Sequence, residues 1–129
     1  MIAVDTSALM AVVLGESEAA RCKDVLRQEP ELLISAGTMA EVLIVAAGRN
    51  VQAEMRNVLD GLGFTIVPVT DGTARRVGEI WQTWGRGRHR AALNFGDCFA
   101  YDTAKSHDCP LLYVGNDFRL TDLRSALSL

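Results

Sequence analysis

Short apolar, partly β-branched runs at 2–4, 32–35, 65–69 and 111–114 alternate along the whole chain with longer segments of helical character. This alternation constrains the fold more than any other feature. Strands separated by helices pair side by side in parallel, with the crossover helices covering the sheet, which predicts an α/β fold and not separate α and β regions. The helical segments read as 8–14, 17–29, 38–47, 51–62, a stretch from a Thr70 or Asp71 cap to about Trp84, and 95–106, with a last helical turn and a short tail. Pro30 lies just beyond the second segment, where a helix stops. The stretch Gly85 to Arg90 reads as a loop.

At 129 residues, without repeats or a linker, the chain is expected to form one domain spanning 1–129. A chain of this size hides roughly two-thirds of its extended surface, so it needs neither disulfides nor a structural metal. Cys22, Cys98 and Cys109 are odd in number and match no zinc spacing, so they read as reduced, packed side chains. No apolar run reaches the ~20 residues needed to cross a bilayer, and the start lacks a leader pattern, so the expected location is the cytoplasm, with no membrane contact. The net charge of −3 excludes a protein that coats nucleic acid by bulk positive charge, but leaves room for a local basic patch.

In a parallel sheet the loops that leave the strand ends emerge along one edge, where ligands bind. Acidic residues gather at the segments expected there. Asp5 closes the first strand, Asp97 lies in the first turn of the 95–106 helix, and Asn116 and Asp117 follow the last strand. Glu41 interrupts an otherwise apolar helix, where a carboxylate is costly without compensation, although it equally fits a single solvated stripe. Each has a plainer role available: a turn residue for Asp5, Asn116 and Asp117, and helix-dipole complementarity for Asp97. Asp102, about 140° around the helix from Asp97, is expected at the surface near Lys105, and Asp71 as a helix start. Several carboxylates from separate segments would repel one another in a crevice, and a hard cation, Mg²⁺ or Mn²⁺, relieves that repulsion. Such an ion polarises a phosphoryl oxygen and activates water, which points to phosphodiester hydrolysis. Arg86, Arg88 and Arg90, next to His89, place positive charge just before the Asp97 helix, although a solvated loop would look the same.

The segments Val4-Asp5-Thr6-Ser7-Ala8, Ala40-Glu41, Leu93-Asn94-Phe95-Gly96-Asp97-Cys98 with Ala100-Tyr101, and Gly115-Asn116-Asp117-Phe118 with Thr121-Asp122 together resemble the PIN-domain ribonucleases of the VapC toxin type. The resemblance spans essentially the whole chain. It implies a three-layer α/β/α fold with a mostly parallel sheet of four or five strands, and a metal-dependent endoribonuclease that cuts single-stranded or loop RNA. It further implies Asp5 and Asp97 as the principal Mg²⁺ ligands, Glu41 as a third ligand or water-orienting group, and Asp117 as the fourth acidic residue, with Asn116 as its alternative. Thr6 is implied as a supporting hydrogen-bond donor, with a helix cap as its plainer role. A homodimer and an inhibitory VapB-like antitoxin whose tail enters the crevice are the implied partners.

A phosphatase with an Asp nucleophile would want a second Asp at position 7, which is Ser. A signalling receiver would want a late lysine at a strand end, and the only lysines are Lys23 and Lys105. The remaining rival is a PIN-like module that binds RNA or a partner without cutting.

Overall fold

A computed structural model describes residues 1–127. The elements run β1 (Ile2–Val4), α1 (Thr6–Leu14), α2 (Ala19–Gln28), β2 (Leu32–Ser35), α3 (Ala36–Gly48), α4 (Gln52–Leu62), β3 (Thr65–Val67), α5 (Asp71–Trp84), α6 (Phe95–Ser106), β4 (Leu111–Leu112) and a 3₁₀ turn at Phe118–Leu120. Among the described residues the sheet has four strands in the order β3-β2-β1-β4, and every pairing is parallel. The α/β alternation therefore translates directly into the fold. Strands β3 and β4 are shorter than the apolar runs that contain them, because pairing ends at Val67 and Leu112.

Alternation along the strands divides the core in two. Ile2, Val4, Leu32, Ile34 and Leu112 point to one face, where Leu9, Cys22, Leu26, Met55 and Leu59 from α1, α2 and α4 cover them. Ala3, Leu33 and Leu111 point to the other, under Val77 of α5 and Cys98, Tyr101 and Ala104 of α6. Helices on both faces make the three layers. The three cysteines are buried and unpaired, as their spacing suggests. Among the described residues no helix is long and apolar enough to cross a membrane.

The helix starts are chemically specified. Asp5 caps α1 by accepting from the Ser7 N–H, so the cap lies one residue before Thr6. Ser35 caps α3, which begins two residues earlier than the hydrophobic pattern suggests. Thr70 caps α5 in a reciprocal box with Thr73, leaving Asp71 as the first helical residue, paired with Arg75 at the surface.

One expectation is overturned. Asp102 is 5% exposed and not at the surface, because α5 packs against its face of α6. Arg76 compensates the buried charge through a two-pronged ion pair, Nε to Oδ1 at 2.7 Å and a terminal nitrogen to Oδ2 at 3.1 Å, and Ser106 donates a third bond. Lys105 instead pairs with Asp122 at 2.7 Å.

Candidate active site

Parallel strands bring their C-terminal ends, and the N-termini of the helices that follow, to one edge. Asp5 leaves β1 there. Its backbone N–H donates to Leu112 O at 2.9 Å, which fastens it to the end of β4. Its Oδ2 accepts from the Ser7 N–H at 3.1 Å and from Ser7 Oγ at 2.7 Å, and Ser7 Oγ also accepts from the Val114 N–H at 2.9 Å. One hydroxyl thus locks the Asp5 rotamer and ties α1 to the segment after β4. The other oxygen, Oδ1, is buried and has no hydrogen-bond partner among the described residues. A buried, unpartnered carboxylate oxygen is costly. Burial pushes the Asp5 carboxyl up to about 6, with Glu41 adding to the rise and the Ser7 bonds holding it down.

Asp97 is held in the first turn of α6 by a reciprocal box: Asn94 Oδ1 accepts from the Asp97 N–H at 2.8 Å, and Asp97 Oδ2 accepts from the Asn94 N–H at 3.0 Å. Capping and site membership therefore coincide in this residue, with Oδ1 lying outside the box. Burial pushes the Asp97 carboxyl up to about 7; the Asn94 bond opposes the rise, while Asp5, Asp117 and Glu41 add to it. Asp97 is thus the residue on which the fields of the other three carboxylates converge.

Glu41 reaches the site from the middle of α3. It is half-buried, and Thr6 Oγ1 donates to its Oε1 at 2.5 Å. Thr6 is therefore a donor to the acidic cluster and not a cap. Asp117 opens the 3₁₀ turn without making a side-chain cap, and its side chain is exposed. Asn116, also exposed, lines a separate groove with Glu18, Arg21 and Arg119. The structure thus brings Asp5, Glu41 and Asp117 into electrostatic range of Asp97, and Glu41 into range of Asp5, and places Asn116 on the neighbouring groove.

Arg86, Arg88 and Arg90 are exposed on a loop that is built and not loose. The Arg86 N–H donates to Leu93 O, the Ala91 N–H donates to His89 Nδ1, and the His89 ring stacks edge-on against Trp84 at 4.8 Å. The Arg88 guanidinium lies 5.3 Å from the centre of the Trp81 ring. Trp81, Arg88, Phe95 and Cys98 line a cleft of about 470 Å³, bounded by the same turn of α6 that carries Asp97.

Two contributors escaped the sequence reading. Ser7 looked like a second helix-start residue, and only the position of Val114 reveals its second bond. Gly96 has no side chain to mark it, yet a β-carbon there would run into Glu41.

Among the described residues no three Asp, Glu, His or Cys side chains form a group that could hold a metal as they stand. A hard divalent ion does not need three, because Mg²⁺ is commonly held by one or two carboxylates and retains its waters. The partnerless Asp5 Oδ1, the all-oxygen donor set and the mutual repulsion fit such an ion.

The PIN domain family model matches residues 2–123. Ribonuclease VapC36 of Mycobacterium tuberculosis is 40% identical over 124 residues, covering 93% of this chain and 89% of that protein. Among solved structures, M. tuberculosis VapC20, described as a sarcin-ricin loop cleaving toxin, superposes with a TM-score of 0.77 at 16% identity over 95% of this chain and 96% of that one. A toxin-antitoxin complex from Klebsiella pneumoniae gives 0.71 at 22% identity, over 95% and 93%. The structural likenesses carry the fold, and the match to the family together with the 40% identity carries the descent: the chain belongs to the PIN-domain family, among the VapC ribonucleases.

Proposed function

We propose that this chain is a metal-dependent endoribonuclease toxin that hydrolyses phosphodiester bonds in RNA, with Mg²⁺ or Mn²⁺ held by Asp5 and Asp97. The observation that carries the reading is the Asp5 carboxylate, fixed through Oδ2 by Ser7 and left with a buried, unpartnered Oδ1 beside Asp97. A divalent ion bound there would neutralise the carboxylates and stabilise the negative charge that develops on a phosphodiester during hydrolysis. The chain's own residues do the positioning. Ser7 orients Asp5, the Asn94 box orients Asp97, and Thr6 holds Glu41 where it can ligate the ion or orient a water. Asp117, exposed at the rim, completes the acidic set.

Arg86, Arg88 and Arg90 are proposed to grip backbone phosphates of the substrate, and the Trp81–Phe95 cleft beside them suits an unstacked stretch of RNA. A VapB-like antitoxin is the proposed inhibitor, supported by the likeness to the Klebsiella toxin-antitoxin complex. A homodimer is the proposed assembly, supported by the apolar side chains that α3 leaves at the surface, Ile44 at 72% and Val45 at 37% exposure.

The test is cleavage of RNA by the purified chain with Mg²⁺. The reading expects activity that EDTA removes and that Asp5→Asn or Asp97→Asn abolishes with folding intact. The second reading, a PIN-like module that binds RNA or a partner without cutting, is favoured by the fourth position, where Asp117 is exposed and Asn116 lies on the neighbouring groove. It expects RNA binding that survives both substitutions, and no cleavage.

A further inference from the structure

Gly96 sits in the first turn of α6, directly before Asp97. Glycine is disfavoured within a helix relative to alanine, and the backbone here does not call for it, because Gly96 is not among the residues of positive φ. The reason is space. A β-carbon built on Gly96 would fall 2.6 Å from Glu41 Cδ and 2.9 Å from Oε1, and closer still to Oε2; the three nearest atoms all belong to that one carboxylate.

We propose that Gly96 is the positioning residue for Glu41: its missing β-carbon is the space that admits the Glu41 carboxylate from α3 to the crevice of Asp5 and Asp97. The inference rests on the reading of Glu41 as a member of the metal-binding cluster. The seat has two sides. Thr6 Oγ1 holds Oε1 by a hydrogen bond, and Gly96 leaves room for Oε2. When a methyl group fills that room, α6 resists movement, because the Asn94–Asp97 box and the buried Cys98 fix its first turn. The end of the Glu41 side chain is the flexible partner, so it is the part that yields. Gly37 makes a useful contrast. A β-carbon there would lie 2.8 Å from the Phe99 ring, so that glycine serves the packing of α3 on α6 and not the site.

The test is a set of variants, Gly96→Ala, Glu41→Ala, their double, and Glu41→Asp combined with Gly96→Ala, followed by crystal structures without metal and by calorimetric titration with Mn²⁺. Gly96→Ala is expected to fold, to lose the Thr6–Glu41 hydrogen bond, and to bind Mn²⁺ about tenfold or more weakly, the scale of a lost supporting contact at a metal site. In the Glu41→Ala background the same change is expected to have no further effect, the signature of two residues acting through one contact. The shorter Glu41→Asp side chain is expected to recover part of the affinity that Gly96→Ala removes. Three results would overturn the proposal: a Gly96→Ala chain that keeps the Thr6–Glu41 bond, a loss of affinity equally large without Glu41, or a variant that cannot fold. If the unaltered chain takes up no Mn²⁺, the metal reading fails, and the Thr6–Glu41 bond in the Gly96→Ala structure still decides the role of Gly96.

Discussion

Thr6 Oγ1 donates a 2.5 Å hydrogen bond to Glu41 Oε1, joining the first turn of α1 to the middle of α3 across 35 positions of sequence. Because Thr6 directly follows Asp5, this bond ties the third carboxylate to the residue next to the first. Thr6→Val keeps the shape and removes the donor. Cleavage by the folded variant is expected to fall about 10- to 100-fold, as for other outer supports of a metal site, while stability changes by only about 0.5–1.5 kcal/mol. Rate assays at saturating Mg²⁺, paired with urea denaturation, check both numbers; an unchanged rate would remove Thr6 from the site.

The raised Asp5 and Asp97 carboxyls set the sign of a pH effect. Each titrates from an ordinary value of 3.8 in the unfolded chain to about 6 and about 7 in the folded one. The folded state therefore holds extra protons in that window, and the metal-free chain is expected to lose stability as pH rises from about 4 to 7. Denaturation midpoints in EDTA across this range measure the slope. A midpoint that climbs with pH would contradict the assignment.

The cost of burying a charged Asp97, to which the neighbouring carboxylates add, predicts that Asp97→Asn stabilises the metal-free protein at pH 8. The amide oxygen can still accept from the Asn94 N–H, so the cap survives while the charge is gone. A gain of about 1–3 kcal/mol is expected, together with loss of cleavage. Thermal melts with and without Mg²⁺ provide the check: added metal should stabilise the unaltered chain and leave the variant unmoved.

Asp102 needs Arg76. Removing the guanidinium with Arg76→Ala leaves a carboxylate that is 5% exposed without its cation, and a loss of stability is expected, smaller than for a fully buried pair because Arg76 is itself half-exposed. Adding Asp102→Asn should recover much of that loss. Equal stability of Arg76→Ala and the unaltered chain would show that α5 and α6 do not depend on this pair.

Each of Arg86, Arg88 and Arg90, changed to Ala, is expected to weaken RNA binding uniformly across sequences. If the residue contacts a phosphate, the slope of log affinity against log salt should fall by about 0.7 per substitution for a single strand. Binding curves at several salt concentrations, with Asp97→Asn, which is expected not to cleave, as parent, test this. An unchanged slope would make the loop an ordinary charged surface.

The alternation of strands and helices and the acidic strand ends were legible in the sequence because hydrophobic period and strand-end polarity are local signals. Asp5, Asp97 and Asp117 stood out at strand ends or a helix start, Glu41 fitted a solvated stripe equally well, and it was the family resemblance that grouped the four. What could not be read was how separate segments meet. Asp102 looked superficial because its own helix says nothing of α5, whose Arg76 arrives from 26 residues upstream. Ser7 acts through Val114, 107 residues away, and Gly96 acts through a side chain on another helix. Strand ends at β3 and β4 were overextended because apolar character continues where pairing stops.

The central claim is that Asp5 and Asp97 share a divalent ion. Anomalous diffraction from crystals soaked in Mn²⁺ tests it most directly. The account predicts a Mn²⁺ peak bonded to Asp5 Oδ1 and an Asp97 carboxylate oxygen. Crystals at millimolar Mn²⁺ with no peak between these two carboxylates, and Asp5 Oδ1 still without a partner, would contradict it.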